Sequence, residues 1–223
     1  MQRVPTVELL DSDDGSGAEV SASLKDLRRI NRWFGGITTT HDLVLAVARR
    51  TGQKQFTMLE VAAGTGDTPL EAARTLVPLG IQLETTLLDR SATHLQPARE
   101  RRRVAGDALA LPFPDDGFDL VCSTLFLHHL APGDVTRSVA EQLRVSRRGV
   151  LINDLIRHPL HLAAVYAGFP LYTSRLTRHD APASVRQAYT TAEMRANLQA
   201  VGAARVEIHR CYLFRMGVIV WKH

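Results

Sequence analysis

The chain has 223 residues, of which 45% are hydrophobic and 22% are charged, and its formal net charge is +4. This length and composition predict a single α/β domain with a full core. The two cysteines lie in apolar runs, which excludes a disulfide-stapled scaffold. The first residues lack the basic segment followed by an apolar segment that is typical of a signal peptide. No stretch approaches the roughly 18 consecutive apolar residues of a membrane helix. We therefore expect a cytoplasmic protein without a membrane span.

Residues 1–22 differ in charge from the rest of the chain. They contain five acidic residues and one basic residue, so the remainder carries about +8 by subtraction from the total of +4. We expect this acidic segment to be mobile at least in part. The basic remainder is compatible with nucleic acid, but aromatic residues make up only 6% of the chain and form no stacking patch. We interpret the basic run 99–103 as a solvated helix end and predict no nucleic-acid partner.

Two helices are predicted before the first strand. Ser23 is a plausible N-cap for the first helix, which runs into the aromatic and glycine-rich turn 31–36. The second helix covers about Thr40 to Arg50. We expect residues 23–52 to form a helical lid over the body of the domain.

Short apolar runs alternate with helical patterns after Gly52. The predicted strands are 56–62, 82–88, 103–105, 118–123, 149–153, 205–209 and 213–221, and the predicted helices are 68–79, one opening at Ser91, one following 132–133, and 191–200. This alternation predicts a Rossmann-like, doubly wound α/β fold, with a seven-stranded, mostly parallel sheet and an antiparallel edge. Residues 155–190 interrupt the alternation and predict a helical insertion above the carboxyl edge of the sheet, where ligands bind in such folds.

The sharpest motif follows the first predicted strand, in the sequence Leu-Glu-Val-Ala-Ala-Gly-Thr-Gly-Asp at residues 59–67. Glycines at a strand–helix junction allow a tight turn and a close approach to a ligand. A dinucleotide-binding fingerprint requires a third glycine at position 69, where Pro69 stands. The Gly-Lys-Ser or Gly-Lys-Thr of a phosphate loop is also absent. Neither common phosphate-binding motif therefore fits.

The pattern Glu60-x-Ala62-x-Gly64-x-Gly66 resembles the first motif of class I S-adenosylmethionine-dependent methyltransferases, with Ala62 in place of the first glycine. Segments 111–115 and 118–121 are similar to those that precede and form strand four in that family. The resemblance implies S-adenosylmethionine as the cofactor, S-adenosylhomocysteine as its product, and no metal. Glu60 would position the methionine end, or else serve as a buried carboxylate that closes the loop.

Further cofactor contacts follow from the same resemblance. Asp89, 23 residues after Gly66, matches the acid that accepts hydrogen bonds from both ribose hydroxyls, although a helix N-cap is an alternative. Asp107 and Ala108 match the adenine-binding loop, with a turn residue as the alternative for Asp107. The remaining predicted contacts are Arg32, Arg90 and Leu125.

The predicted acceptor side begins at His128 and His129, which follow strand four. The pair resembles small-molecule methyltransferases, including quinone C-methyltransferases. A histidine can deprotonate a phenol near neutral pH, so we predict that one of the two faces the acceptor while the other packs into the fold. Two structural histidines are the alternative, and Asp154 or His179 would then be the next candidate for the base.

Polar residues after strand five and in the insertion complete the prediction. We expect Asn153, Arg157, Arg178 and His179 to bind the acceptor, because cations there would suit a phenolate or an acyl-derived group. Trp33 in the lid would contact the acceptor or the sulfonium. The alternatives are a helix cap for His179 and simple core packing for Trp33.

Three functions are compatible with these features. The favoured hypothesis is O-methylation of a phenolic or polyketide-type secondary metabolite. The alternatives are C-methylation of a quinone or lipid-like acceptor, and a non-catalytic cofactor-binding protein of the same fold. In each case we expect a small-molecule partner and a monomer or homodimer.

Overall fold

A computed structural model describes residues 1–10, 15–95 and 102–223. The helices are α1 Gly17–Trp33, α2 Gly36–Thr51, α3 Asp67–Leu76, α4 Pro132–Val145, α5 Pro159–Ala167, α6 Arg175–Gln187 and α7 Thr191–Gln199. The strands are β1 Gln55–Val61, β2 Gln82–Asp89, β3 Arg102–Ala105, β4 Phe118–Thr124, β5 Ser146–Leu155, β6 Arg205–Arg210 and β7 Arg215–Trp221. Short 3-10 turns cover Val77–Leu79, Leu127–His129 and Phe169–Leu171.

The strands form one seven-stranded sheet in the order β3-β2-β1-β4-β5-β7-β6. All pairs from β3 to β5 are parallel, whereas β7 runs antiparallel between β5 and β6. This confirms the predicted fold class, including the antiparallel edge. The strand order reverses between β1 and β4, and in open α/β sheets a crevice for ligands opens at this point.

The core lies on both faces of the sheet. Alternate residues of β4 point to opposite faces, so Val121 packs with Val139 of α4 while Leu120 packs with Val44 of α2. All four of these residues are fully buried. The apolar strands predicted from the sequence are therefore central strands covered on both sides, as a parallel sheet requires.

The first helix begins earlier than predicted. Ser16 is its N-cap, and Ser16 with Glu19 forms a capping box in which each side chain bonds to the other residue's backbone amide. Ser23, the predicted cap, lies inside the helix, and its hydroxyl oxygen is 3.1 Å from that of Thr177 in α6. The prediction of Ser23 as N-cap is wrong because the Ser-x-x-Glu signal lies seven residues upstream.

Residues 1–10, which we name the N-terminal strap, lie against α6. The amide of Val4 donates to the carbonyl of Arg186 (3.1 Å), and the amides of Leu9 and Leu10 donate to the carboxylate of Asp180. The mobility expected for residues 1–22 stays a prediction. The contacts nevertheless connect the start of the chain to the insertion.

The insertion after β5 forms α5, a 3-10 turn and α6, as its helical character predicted. In the predicted helix that opens at Ser91, residues 92–95 form a turn, and residues 96–101 lie outside the described residues. Of the basic run 99–103, only Arg102 and Arg103 are described, and both belong to β3. None of the described helices is both long and apolar enough to cross a bilayer.

Candidate cofactor and acceptor site

A cleft of about 520 Å³ opens at the carboxyl ends of β1, β2 and β4, between the sheet and the helices α1 and α6. The loops after β1, β2 and β3 line one side, which we name the cofactor half. The 3-10 turn after β4, the N-terminal strap and α6 line the other side, which we name the acceptor half. The loop with the glycine motif and the histidine pair, separated by more than 60 positions in sequence, therefore share one cavity.

The loop after β1 turns through three left-handed residues, Ala62 (φ 55°), Gly64 (φ 54°) and Gly66 (φ 72°). Ala62 occupies the place of the first glycine in the family pattern, and a left-handed conformation is costly for alanine. A Cβ on Gly66 would lie 2.5 Å from the side chain of Leu87, so only glycine fits there. The backbone conformation thus explains why the motif is rich in small residues.

Glu60 reaches the cleft from the end of β1 and is 1% exposed. Burial raises its pKa to about 7, against the lowering effect of hydrogen bonds from Thr124 and Cys122. Its Oε2 has no hydrogen-bond partner among the described residues. A buried acceptor atom in a cleft remains costly until a donor reaches it. The ammonium group at the methionine end of the cofactor would supply such a donor.

Asp89 ends β2 and shapes the same loop. Its Oδ2 accepts from the amide of Gly64 (2.8 Å), and its Oδ1 accepts from the amide of Ser91 (2.9 Å). The structure therefore supports the capping alternative. A carboxylate offers about four acceptor positions, so two remain for a ribose diol. Positioning the loop and binding the ribose are compatible roles for this side chain.

The loop after β3 contributes Asp107 and Ala108 to the cleft lining. Asp107 also accepts a hydrogen bond from the amide of Leu109 (2.8 Å), as the turn alternative predicts. Arg90 lines the cleft as well, and Leu125 does so in a left-handed conformation (φ 54°). Arg32 is exposed and is absent from the described cleft lining, so its predicted cofactor contact finds no support here; its neighbour Asn31 lines the cleft.

Both histidines of the pair line the acceptor half, contrary to the prediction that one would face away. Their rings lie 4.2 Å apart between centroids and are tilted by 33°. His128 is buried, and its Nδ1 lies 2.6 Å from Oδ1 of Asp154, which also accepts from the amide of Leu155.

The electrostatics of His128 follow from the acids around it. Burial alone would lower its pKa, but the carboxylates of Asp154 and Glu8 outweigh this effect and raise the pKa to about 10. The pKa of Asp154 is lowered, since His128 and a backbone hydrogen bond overcome the opposing effect of burial. His128 is an imidazolium in this state, whereas a general base must start neutral. A base role for either histidine stays a prediction.

Glu8 is the residue of this site that the sequence did not indicate. It is 8% exposed, and its Oε1 accepts from Ser184 Oγ (2.6 Å) and Gln187 Nε2 (2.7 Å) of α6. The same oxygen lies 3.8 Å from Nε2 of His128 and 3.9 Å from Nε2 of His129. Although burial opposes ionisation, these neighbours lower its pKa. No signal within residues 1–22 distinguishes this glutamate from the surrounding acids.

Two predicted acceptor contacts, Asn153 and Arg157, hold the fold instead. Asn153 is fully buried; its Nδ2 donates to the carbonyl of Gly36, and its Oδ1 accepts from Arg215 Nη1 (2.9 Å). Arg157 donates to three groups away from the cleft, namely the carbonyls of Met1 and Ala188 and the carboxylate of Glu193. Neither residue belongs to the cleft lining of the described chain, so the structure does not support their predicted contacts with the acceptor.

Two further predicted contacts lie on the outer side of α6. Arg178 donates to the carbonyl of Tyr172, and His179 pairs with Asp180 at 2.8 Å. Neither belongs to the cleft lining of the described chain, so the structure does not support their predicted role in acceptor binding. Asp180 fastens the strap, which is the nearest that this pair comes to the site.

An apolar pocket of about 140 Å³ adjoins the acceptor half. Trp33, 58% exposed, stands at its edge rather than at the cofactor loop. The pocket and the cleft share lining residues, including Val165, Tyr172 and Leu155, so the two spaces lie side by side. Its other aromatic walls are Phe34, Tyr212 and Phe214.

The sheet order, the glycine loop after β1 and the acid at the end of β2 together define a cofactor-binding domain of the Rossmann-like class. Residues 58–149 match the family model of a methyltransferase domain. The chain is 30% identical over 135 residues to the demethylmenaquinone methyltransferase of Mycobacterium marinum, covering 56% of this chain and 58% of that protein. It is 32% identical over 115 residues to the ubiquinone/menaquinone biosynthesis C-methyltransferase of Methylobacterium nodulans, covering 48% and 44%.

The chain spans about half the length of the curated relatives it matches. Among solved structures, a plantazolicin methyltransferase in complex with a substrate analog and S-adenosylhomocysteine superposes with a TM-score of 0.69. The two chains are 12% identical, and the superposition covers 92% of this chain and 91% of the other, which shows a common fold.

Residues 58–149 are therefore similar to a methyltransferase domain, and the chain shares the fold of a solved methyltransferase. The buried oxygen of Glu60, the remaining acceptor positions of Asp89 and the glycine-lined turn fit S-adenosylmethionine as a cofactor.

Proposed function

We propose that this chain transfers a methyl group from S-adenosylmethionine to a ring carbon of an aromatic, hydroxylated acceptor of the quinol type that carries an apolar substituent. The observation that carries the proposal is that the cofactor loop and the histidine pair share one cleft and that the apolar pocket adjoins this cleft. The names of the curated relatives, which are quinone methyltransferases, support the same acceptor class.

The cofactor supplies an electrophilic methyl group on a sulfonium. Asp89 accepts hydrogen bonds from the ribose hydroxyls, and Asp107 approaches the adenine. Glu60 holds the methionine end with the oxygen that has no partner in the described chain. These contacts fix the sulfonium with respect to the acceptor half, and in-line displacement requires that alignment.

The acceptor half supplies polarity at one end and apolar walls at the other. His128 and His129 present their imidazoles where a hydroxyl or oxyanion of the acceptor would lie. Deprotonation of such a hydroxyl makes the adjacent ring carbon nucleophilic. That carbon would form the new bond to the methyl group as the bond to sulfur breaks. Its proton would then pass to the ring oxygen as aromaticity is restored, so that the proton lost from the hydroxyl is the one released to solvent. The apolar pocket beside Tyr172 accommodates the substituent and excludes water.

O-methylation was the favoured hypothesis from the sequence, and the curated relatives favour transfer to carbon instead. Both reactions need the same cofactor geometry and an ionised hydroxyl. They differ in which atom of the acceptor is nearest to the sulfonium. The position of the new methyl group in the product, on oxygen or on carbon, distinguishes the two reactions.

The test is to incubate the full chain with S-adenosylmethionine and 1,4-naphthohydroquinone under reducing conditions and to analyse the product by NMR. A methyl group on ring carbon supports the proposal, while a methoxy group establishes the O-methyl alternative. Asp89→Ala serves as the cofactor-binding control and should give neither product. Absence of both products with the wild-type protein, at a concentration where calorimetry shows cofactor bound, would reject this acceptor class.

A further inference from the structure

Three ligand-type atoms converge in the acceptor half. They are Oε1 of Glu8 and the imidazoles of His128 and His129, and suitable atoms of the three lie within 4.8 Å of one another. Nε2 of His128 is 3.8 Å from Glu8 Oε1, and Nε2 of His129 is 3.9 Å from the same oxygen. Both distances exceed the range of a hydrogen bond. The atoms surround a common point without closing on one another.

Nε2 of His128 is the second observation that points to a ligand. The side chain is 2% exposed, and this nitrogen has no hydrogen-bond partner among the residues described in the structure. A buried imidazole nitrogen without a partner carries a desolvation cost. The nitrogen faces Glu8 and the cleft, so a group placed between them would remove that cost.

The surroundings of the three residues are those of a metal site. The other ring nitrogen of His128 is fixed by the carboxylate of Asp154 at 2.6 Å, and metal-bound histidines are typically oriented by a carboxylate in this way. Ser184 and Gln187 hold the oxygen of Glu8 at 2.6 and 2.7 Å. Two of the three candidate ligands are therefore held in place by neighbours that do not themselves reach the centre.

The charges favour a cation. Glu8 and Asp154, both buried, contribute two negative charges around two imidazoles. A divalent ion would displace the proton that His128 carries in the metal-free protein and would then balance the two carboxylates, which are costly to bury without a counter-charge. Two nitrogens and one carboxylate oxygen are ligands that zinc and similar transition metals accept, whereas Mg²⁺ and Ca²⁺ prefer oxygen. Ligand atoms about 2.0–2.2 Å from a tetrahedral zinc lie about 3.3–3.6 Å apart, so each Nε2 would need to approach Glu8 Oε1 by up to about 0.6 Å.

We propose that Glu8, His128 and His129 bind one divalent transition-metal ion of the zinc type, with an open coordination position towards the acceptor side of the cleft. The sequence predicts no metal, and the family resemblance implies none, so this site is a property of the cluster itself. The task of the ion rests on the proposed function: as a Lewis acid it would hold the acceptor hydroxyl as its oxyanion. Binding of the ion does not rest on that function.

The test uses the full chain without an affinity tag, stripped with a chelator and titrated with Zn²⁺ by calorimetry. One ion should bind per chain, and Co²⁺ should give the visible absorption of a low-coordinate nitrogen–oxygen site. His128→Ala and Glu8→Gln should weaken Zn²⁺ binding at least about 100-fold, and Asp154→Asn about 10- to 100-fold. The matched controls His41→Ala and Glu71→Gln, on α2 and α3, should bind Zn²⁺ like the wild type.

Circular dichroism checks that each variant is folded. If the cluster variants unfold, the wild-type titration and the Co²⁺ spectrum decide. Equal affinity in Glu8→Gln and Glu71→Gln, or the lack of stoichiometric binding to the folded wild type, would overturn the metal site. Methylation of the naphthohydroquinone at full rate without bound metal would reject the Lewis-acid task of the ion and leave the proposed function standing. Stoichiometric metal binding without methylation would support the metal site and reject the proposed function.

Discussion

The cofactor half of the cleft is made mainly of backbone turns at the ends of three neighbouring strands, whereas the acceptor half is made of side chains from distant parts of the chain. The first lies within about 50 consecutive residues, from Glu60 to Ala108. The second brings Glu8 of the strap together with His128 and with Ser184 of α6. Local sequence therefore determines the first half, and tertiary packing determines the second.

The largest effect is expected for a substitution that disrupts cofactor binding and leaves the acceptor half intact. Asp89→Ala removes the acceptor of two charge-assisted hydrogen bonds to ribose and releases the amide of Gly64. At about 1.5–3 kcal/mol for each such bond, affinity for S-adenosylmethionine should fall about 1,000-fold by calorimetry. Zn²⁺ binding should be retained. Unchanged cofactor affinity would contradict the ribose assignment, and Asp115→Ala, on an exposed turn, is the control.

Glu60→Gln tests the buried carboxylate through pH. The folded-state pKa is raised from 4.5 to about 7, so the folded protein binds the proton more tightly than the unfolded chain does. Wild-type stability should therefore fall as pH rises from about 4.5 to 7 and stay level above that, by about 3 kcal/mol in total.

The variant should lack this loss, so urea unfolding without cofactor should show it more stable than the wild type at pH 8 and equal at pH 4. Glu71→Gln is the exposed control. A constant difference between the variant and the wild type across this pH range would show that folding does not raise the pKa of Glu60.

A pair of substitutions in the loop compares two left-handed positions. Gly66→Ala should destabilise the fold by about 2 kcal/mol in chemical unfolding, because of its positive φ and the contact with Leu87. Ala62→Gly should change stability by less than about 1 kcal/mol, because relief of strain offsets the greater freedom of the unfolded chain. Equal effects of the two would contradict the described loop conformation.

Loosening the N-terminal strap should weaken binding of the acceptor. Arg3 donates to the carbonyls of Gln187, His128 and Leu130. Arg3→Ala should cost about 1–2 kcal/mol in unfolding free energy and raise the KM for the acceptor several-fold, while the Kd for S-adenosylmethionine stays within twofold. A parallel loss of cofactor affinity would show that the two halves are not separable. Arg175→Ala, at the exposed start of α6, is the control.

The smallest effect is expected for the outer side of α6. Arg178→Ala should leave kcat/KM for the naphthohydroquinone within about twofold of the wild type, because the side chain only contacts the carbonyl of Tyr172. A tenfold loss would restore the sequence-based assignment of this residue to the acceptor site.

The contrast between the halves also explains which predictions from sequence were accurate. Strand–helix alternation and the order of glycine and acidic positions are local patterns, so the sheet and the placement of Glu60, Asp89 and Asp107 on the cleft were predictable. Glu8 was not, because its partners are about 120 and 176 positions away and its neighbours are also acidic. Arg157 was misassigned for the converse reason: a motif places a residue near an edge without giving the direction of its side chain.

Arg215 connects the helical lid to the sheet through hydrogen bonds. It is 2% exposed, burial lowers its pKa to about 10, and it donates to Asn153, Asn31 and the carbonyl of Phe34. Asn153 in turn donates to Gly36. Hydrogen bonds therefore hold the turn between α1 and α2 against β5 and β7, so this turn is a fixed wall of the cleft. Ligand exchange should then depend on displacement of the strap, and hydrogen exchange should be faster at Leu9 and Leu10 than at Thr39 and Thr40.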